Sequence, residues 1–395
     1  MADVAFCAVL HQPWRIRRYS FLNIGEHKDY FNDALNKSLF ERISRKCYLP
    51  ALKLLKDLSE DYKDFKVNLS FTGTFLDQAQ QYKPQVITAI KKLNETGKLE
   101  MIGETYYHSL AFFVSEREFH EQIKMHSQKI KMLFGAKPKI FRNTESLYSD
   151  SIARSVEKLG FKGIITEGTE KFLGWRSSGY PYRADGTKMH LLLRNYKLSD
   201  DIAFRFSARD WQEYPLTAEK YAYWLGAVQD RFAIIYIDFE TFGEHQWPET
   251  GIFEFLKYLP AYVEKHKHVH WTNLSRLLKL ETVDTLNIPW FVSWADQDRD
   301  TSAWFGNKMQ RTAFETAKSL EKKVLETKNK KIIDTWRRLM TSDHFYYMST
   351  KLAGDEEVHS YFRDEVYENP YEAFANYMNI IQDFRMELDE ELGLA

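Results

Sequence analysis

The sequence predicts an α/β protein, with a seven-stranded parallel (β/α) barrel followed by a C-terminal helical bundle. Short apolar runs alternate with helical patterns over the first two thirds of the chain, and strand signals disappear after about residue 286. A length of 395 residues also favours two or three domains over one. We therefore expect a barrel over residues 1–285 and a helical region over residues 286–395. The alternation alone would suit an open, doubly wound sheet nearly as well.

Seven apolar runs are the predicted strands. The first, residues 4–10, lacks polar alternation, which is typical of a parallel strand that is buried on both faces. The last, residues 233–237, is the most strand-like segment of the chain because β-branched and aromatic residues dominate it. The other five runs lie at residues 66–71, 99–104, 139–142, 161–166 and 189–194.

Helical patterns lie between these runs. Leucine spacing predicts a helix over residues 49–59, and Ser115 with Glu118 has the spacing of a capping box that opens another. Further helices are expected to begin at Asp150 and to span residues 217–228. The helical stretches of the C-terminal region are residues 303–329, 331–340, 344–351 and 371–392.

Composition and charge exclude several classes of protein. The chain has 55 Lys and Arg against 56 Asp and Glu, which argues against a protein that tracks nucleic-acid phosphates. No stretch approaches the ~20 apolar residues that span a bilayer, and the chain start lacks the basic residues of a signal peptide. The two cysteines, Cys7 and Cys47, are expected to be buried thiols in a reducing compartment. We expect a cytoplasmic protein that binds neither nucleic acid nor membrane; its oligomeric state stays open.

Polar and aromatic residues gather where the predicted strands end. The first strand runs into His11-Gln12-Pro13-Trp14, and the third, fourth and seventh run into residues 104–108, 142–145 and 238–247. The carboxyl ends of barrel strands meet at one face, and the chemistry of such enzymes takes place there. Strand ends that serve stability alone would carry turn residues, so acids, histidines and aromatics at four of them predict a functional rim.

Five stretches, in this order, resemble the motifs of glycoside hydrolase family 57. They are His11-Gln12-Pro13, residues 104–110, Arg142-Asn143-Thr144-Glu145, residues 238–243 and residues 342–348. Their order and spacing agree with the family from residue 11 to about residue 351. Within the family, the chain resembles the short α-amylase-type members.

The resemblance implies a retaining enzyme with Glu145 as nucleophile and Asp238 as general acid/base. Retaining glycosidases need two carboxyl groups about 5–5.5 Å apart. Glu145 and Asp238 are 93 residues apart in the chain, and a closed sheet can bring such positions together. Glu240 and Glu244 are alternative proton donors. A structural alternative for Glu145 is to cap the helix that begins at Asp150.

The expected substrate-binding residues are His11, Gln12, Glu104, His108, His245, Trp247, Trp294 and Asp343. His11 matches the family's substrate-binding histidine, with a buried structural imidazole as the alternative. The two tryptophans offer flat faces for sugar rings, although either could serve only packing. Asp343 belongs to the fifth motif and would reach the cleft from the helical region.

The resemblance implies neither a cofactor nor a catalytic metal. Deacetylases on related barrels need an Asp-Asp pair after the first strand and a later His-x-x-x-His pair, and metal-dependent mannosidases need His-x-Asp at the first position. Here the first strand is followed by His11-Gln12-Pro13, in which Pro13 offers no ligand, and no second histidine follows His108 at that spacing.

The expected activity is therefore α-amylase-type hydrolysis of α-1,4 bonds in starch, glycogen or maltodextrin, and the expected partner is an α-glucan or maltooligosaccharide. A 4-α-glucanotransferase differs only in whether sugar or water intercepts the glycosyl-enzyme. A catalytically silent glucan-binding protein is the alternative from another class, although the presence of both carboxyl groups speaks against it.

Overall fold

The computed structural model describes residues 2–352, 359–360, 363 and 366–394. Each of the seven predicted strands is present, together with three short strands that the sequence did not predict. The strands are β1 (Ala2–Leu10), β2 (Val67–Phe71), β3 (Leu99–Ile102), β4 (Ile140–Arg142), β5 (Gly163–Glu167), β6 (Tyr182–Ala184), β7 (His190–Arg194), β8 (Phe232–Asp238), β9 (Val269–Trp271) and β10 (Asp284–Leu286).

The strands form two five-stranded sheets. One sheet has the order β3-β2-β1-β8, with β9 beside the start of β1, and the other has the order β10-β6-β7-β5-β4. All pairings between these strands are parallel except that of β6 with β7. The strands β2 and β5 are buried along their whole length. Residues 4–10 of β1 are likewise all buried, which confirms the interpretation of this continuous apolar run.

Backbone hydrogen bonds join the two sheets at two places. Gly103, directly after β3, donates to the carbonyl of Ile140 at 2.9 Å and accepts from Arg142 at 2.8 Å. A Cβ atom on Gly103 would lie 2.7 Å from the Phe161 ring, so glycine leaves room for this ring beside the junction. On the other side, the Asn195 amide donates to the carbonyl of Ile234 at 2.8 Å. Regular strand pairing stops at both junctions, so the described strands form two sheets instead of the single closed sheet that was predicted.

Helices connect most of the strands. They are α1 (Asp33–Ile43), α2 (Leu49–Asp61), α3 (Gly73–Tyr82), α4 (Pro84–Glu95), α5 (Ala111–Val114), α6 (Glu116–Phe134), α7 (Asp150–Glu157), α8 (Glu170–Leu173), α9 (Tyr196–Ala203), α10 (Ala218–Gly226), α11 (Ile252–Glu264) and α12 (Leu274–Leu277). A π-helical segment, Ser44–Tyr48, separates α1 from α2.

Helix α6 shows both the success and the limit of the sequence pattern. The Ser115 side chain accepts a hydrogen bond from the Glu118 amide at 3.1 Å, and the helix ends at Gly135 in the left-handed conformation (φ 69°), as predicted. The Glu118 carboxylate does not complete the capping box. It forms a two-pronged ion pair with Arg337 instead, with both distances below 3 Å.

Beyond β10, the described part of the C-terminal region contains helices and no further strand, as expected. Its helices are α13 (Ser302–Phe305), α14 (Lys308–Ser319), α15 (Glu321–Glu326), α16 (Lys330–Leu339), α17 (Ser342–Tyr346) and α18 (Pro370–Glu391). The predicted helical stretch over residues 303–329 is therefore three shorter helices. The two breaks between them fall near Gly306 and at Leu320.

The C-terminal helices share a hydrophobic core with loops that follow the strands. Ile16, Leu110 and Leu147, which come after β1, β3 and β4, are buried in the same apolar cluster as α14, α16 and α18. The helical region therefore lies at the carboxyl ends of these strands. None of the helices in the described part of the chain is long and apolar enough to cross a membrane. Cys7 and Cys47 are free and buried, as predicted for the two thiols.

Candidate active site

The loops after β3 and β4 bring His108 and Glu145 together in an unusual backbone conformation. Both residues have positive φ, 49° for His108 and 54° for Glu145. This region is sparsely populated by residues with a Cβ, and occupying it costs about 1–3 kcal/mol for each residue. The side chains of the two residues meet directly, because Nε2 of His108 donates to Oε1 of Glu145 at 2.7 Å. Backbone strain therefore coincides with a specific polar contact.

The second oxygen of Glu145 is held by Trp294. The indole Nε1 donates to Oε2 at 2.8 Å, and the Trp294 ring also lies under the buried Arg142 guanidinium at 4.2 Å. Burial raises the pKa of Glu145, but the hydrogen bond and charge of His108, followed by the charge of Arg142, outweigh it and lower the pKa below its ordinary value. Glu145 is therefore an ionised carboxylate at neutral pH.

Asp238, the last residue of β8, has the opposite electrostatic environment. Burial, and next the negative charge of Glu145, raise the pKa of Asp238 to about 6. The positive charges of Arg142 and His108 oppose this shift. The two carboxyl groups thus sense each other's charge and titrate well apart. Environments that separate the pKa values of two acids are the usual mark of distinct acid and base roles.

His11 and His108 form a stacked pair beside these carboxyl groups. Their ring centres are 4.0 Å apart, with an interplanar angle of 27°. Nε2 of His11 lies 2.9 Å from Oδ2 of Asp343, in the first turn of α17, and Nδ1 lies 3.1 Å from the Thr72 hydroxyl. Burial, and next the charge of His108, lower the pKa of His11. Strand β1 and the helical region therefore both contribute to one polar cluster.

His108 is the cation of this cluster. Burial disfavours its charge, but hydrogen bonds to Glu104 and Glu145, at 3.3 and 2.7 Å, raise the pKa of His108 to about 9. Glu104 is completely buried and also accepts a hydrogen bond from the Ser70 hydroxyl. Because Glu104 binds the far side of the imidazole, it fixes the ring that faces Glu145.

Comparison with known proteins identifies the family. The family model described as "Glycosyl hydrolase family 57" matches residues 5–289. A protein of Methanocaldococcus jannaschii described as "Putative alpha-amylase" is 46% identical over 404 residues, covering 99% of this chain and 85% of that protein. The chain belongs to glycosyl hydrolase family 57. The resemblance seen in its five motifs is thereby confirmed.

Solved structures of family 57 share the fold. The branching enzyme of Pyrococcus horikoshii superimposes with a TM-score of 0.68 at 16% identity, over 92% of this chain and 88% of that one. The 4-alpha-glucanotransferase of Thermococcus litoralis gives a TM-score of 0.67 at 18% identity, over 94% of this chain. This family 57 chain matches 59% of the glucanotransferase's length.

The other predicted site residues lie around this cluster at different depths. Gln12 is buried, and its amide donates to the Tyr48 hydroxyl at 2.9 Å. His245 is half-buried, and burial lowers its pKa to about 4, with Glu244 opposing the shift. Trp247 is 62% exposed. Of the residues expected to bind substrate, His11, His108, Glu104, Trp294 and Asp343 are the ones joined to Glu145 by the contacts above.

Glu240 is a further acid of this site. Burial, and next the charge of Asp238, raise the pKa of Glu240 to about 8, although the Tyr48 hydroxyl donates to its Oε1 at 2.5 Å. Tyr48 comes from the π-helical segment, a kind of helix distortion that is frequent at functional sites. By contrast, Glu244, the other alternative proton donor, pairs with Arg42 at 2.8 Å.

Arg142 is a site residue that the sequence reasoning did not assign. Its guanidinium is fully buried between the rings of Trp294 and Tyr236, and it lowers the pKa of Glu145. Its position three residues before Glu145, at the end of β4, was the available signal. Among the described residues, no group of three or more His, Cys, Asp or Glu side chains is arranged to hold a metal ion.

Proposed function

We propose that this family 57 protein is a retaining glycosidase that hydrolyses α-1,4 bonds of glucans, with Glu145 as nucleophile and Asp238 as general acid/base. The observation that carries the proposal is the contrast between the two carboxyl groups. Glu145 is held ionised by His108 and Trp294, whereas Asp238 has its pKa raised to about 6. A nucleophile must be ionised and a general acid must carry a proton.

The proposed reaction has two steps. The Glu145 carboxylate attacks the anomeric carbon while the bond from that carbon to the leaving oxygen breaks, and Asp238 gives its proton to that oxygen. Asp238 is then a carboxylate that takes a proton from water, and the water oxygen attacks the same carbon. The ester bond to Glu145 breaks, so both carboxyl groups return to their starting states and the anomeric configuration is retained.

We assign substrate contacts to the residues around this pair. The stacked imidazoles of His11 and His108 would lie beside a sugar at the cleavage point, where Asp343 fixes the orientation of His11 and His108 acts through Glu145. Trp247 is exposed and has a ring face free to stack on a more distant sugar. Gln12 would act on substrate through Tyr48, because its amide is bound to that hydroxyl.

We also propose that seven strands, β1 to β5 with β7 and β8, close into the family's barrel over residues 1–285. The junction at Gly103 and the hydrogen bond from Asn195 to Ile234 support this closure. Residues 286–395 would form the helical region that completes the cleft. The contact between His11 and Asp343 supports a cleft that both regions contribute to.

Product analysis of maltoheptaose tests the activity. We expect shorter sugars alone, released first as the α-anomer, which proton NMR of early products resolves. Sugars longer than maltoheptaose would identify a glucanotransferase. An initial β-anomer would exclude a retaining mechanism. An unchanged substrate would indicate a protein that binds glucan without cleaving it. The Glu145→Ala variant, purified identically, is the control for contaminating amylase.

A further inference from the structure

A cavity of about 750 Å³ is lined by ten residues, none of which belongs to the cluster around Glu145 and Asp238. Its volume lies within the range of small-molecule sites, about 300–1,000 Å³. Six of its lining residues carry a fixed positive charge, namely Lys66, Lys139, Lys162, Lys188, Arg276 and Lys279.

The fold places these cations near the amino ends of the strands. Three of the lysines directly precede a strand: Lys66 precedes β2, Lys139 precedes β4 and Lys162 precedes β5. Lys188 comes just before β7. The strands run parallel, so residues ahead of them lie at their amino ends. Glu145 and Asp238 follow strands at the carboxyl ends. The basic cavity and the active site therefore lie at opposite ends of the strands.

The cavity has no compensating acid in its lining. None of its five lysines forms a salt bridge within the described part of the chain, although most of the chain's charges are balanced and the net charge is -1. Acids outside the lining offset part of this charge: Glu100 accepts from the Ser275 amide at 2.9 Å, Glu157 accepts from the Lys188 backbone amide at 2.7 Å, and Asp3 lies 3.7 Å from Arg276. Like charges gathered in a concave surface create a strong local field for anions.

Hydrogen bonds hold two other lining residues of the cavity in place. The Asn273 amide donates to the carbonyls of Val67 and Lys98, each at 3.4 Å. Nε2 of His190 lies 3.0 Å from the carbonyl oxygen of Leu280. The cations therefore project from a preformed scaffold, which reduces the entropy lost on binding.

We propose that this basic cavity binds a small molecule that carries at least two phosphate groups. Six cations exceed the charge of a single phosphate, and lysine ammonium groups bind phosphate oxygens through charge-assisted hydrogen bonds. The lining includes no Phe, Tyr or Trp ring, and such rings are what single-stranded nucleic-acid sites use to stack bases. The concave shape also favours a compact polyanion over a flat membrane surface. The proposal is independent of the glycosidase assignment.

Calorimetric titration of the full chain with tripolyphosphate tests the proposal. We expect one-to-one binding, weaker for orthophosphate by at least about tenfold because fewer charge-assisted hydrogen bonds form. The double substitution Lys139→Gln/Lys162→Gln should weaken tripolyphosphate binding by at least about tenfold for the same reason. The control, Lys37→Gln/Lys124→Gln, removes the same charge from exposed positions on α1 and α6 and should leave binding unchanged.

Equal losses in the two double variants would overturn the proposal, because binding would then follow overall charge. Absence of heat with tripolyphosphate would overturn it too, as would tighter binding of single-stranded RNA or of anionic lipid vesicles. Titrations with ATP and with a sugar bisphosphate then separate a nucleotide from a phosphorylated sugar as the source of the phosphates. Lys66→Gln/Lys188→Gln provides a second cavity variant if the first has an altered melting temperature.

Discussion

Nε2 of His108 donates a hydrogen bond to Oε1 of Glu145 across 2.7 Å, while Nδ1 of the same ring faces Glu104 at 3.3 Å. One imidazolium therefore links a buried carboxylate to the proposed nucleophile. The charge of His108 keeps Glu145 ionised, and the two-sided contact fixes where its carboxylate points. This pairing has direct consequences for activity and its dependence on pH.

Replacing this cation should weaken the nucleophile without removing it. In His108→Gln, the pKa of Glu145 should rise, so the acidic limb of the kcat/KM profile should move to higher pH. Loss of the two-sided contact should also lower kcat by about 10²-fold at the optimum, the usual cost of a misplaced reacting group. Steady-state kinetics across pH measures both effects. An unshifted acidic limb would show that His108 does not set the charge state of Glu145.

The basic limb of the same profile distinguishes the possible proton donors. Asp238 must be protonated for the first step, and its pKa is raised to about 6, so kcat/KM should fall as the pH rises through about 6. Below that pH the group carries its proton and activity is sustained until Glu145 itself becomes protonated. A basic limb near 8 would instead point to Glu240, whose pKa is raised to about 8. Comparison with Glu240→Gln identifies which acid is titrating.

The two carboxyl groups should respond differently to azide. Asp238→Ala should still form the covalent intermediate from an activated aryl α-maltoside, since phenolate leaves without a proton, and azide should then take the place of water and release an α-glycosyl azide, with retained configuration. Glu145→Ala should give the β-glycosyl azide, because azide enters from the side that the Glu145 carboxylate vacated and inverts the configuration in a single displacement. On starch, loss of the general acid should cost about 10²–10⁴-fold. Product stereochemistry by NMR decides the assignment, and exchanged products would exchange the two roles.

The buried ion pair between Glu118 and Arg337 should matter for stability. It joins α6 to α16 with both partners buried, so Glu118→Ala leaves an unpaired buried cation and should cost about 3–5 kcal/mol of unfolding free energy. Glu116→Ala, on the exposed face of the same helix, should leave the urea midpoint almost unchanged. Urea denaturation followed by circular dichroism compares the two. Equal midpoints would show that the pair adds nothing to this interface.

Chelation should leave the activity intact. The proposed chemistry uses two carboxyl groups, and no metal-holding group of side chains occurs among the described residues. Dialysis against EDTA followed by the maltoheptaose assay tests this expectation. Complete loss of activity that one divalent ion restores would contradict the proposed mechanism.

Much of the fold could be predicted from hydrophobic patterns, because buried parallel strands leave uninterrupted apolar runs. Predicted and observed bounds of the first strand differ by two residues at one end, and β8 by one at each end. The short strands β6, β9 and β10 were missed, since three residues carry too little periodicity. Two separate sheets could not be foreseen either, because the break depends on backbone spacing at the junctions.

The site was predictable as a set of residues but not as a geometry. Motifs placed His11, His108, Glu145 and Asp343 at the rim, and the structure joins them through hydrogen bonds and ring stacking. Nothing in the sequence indicates that His108 and Glu145 adopt positive φ, because neither is the glycine that normally marks such positions. Likewise, Glu118 fits a local capping box, yet its carboxylate binds a residue more than two hundred positions away.

The central position of β1 also constrains how the chain is made. This strand pairs with β2 on one side and with β8 on the other, and 228 residues separate its last residue, Leu10, from the end of β8 at Asp238. At about 5–20 residues per second, a ribosome needs about 10–45 s to supply that partner. During this interval one apolar edge of β1 is open to other chains. We therefore expect this protein to aggregate more readily during its synthesis than after folding. Slower initiation of translation or an abundant chaperone should reduce that aggregation.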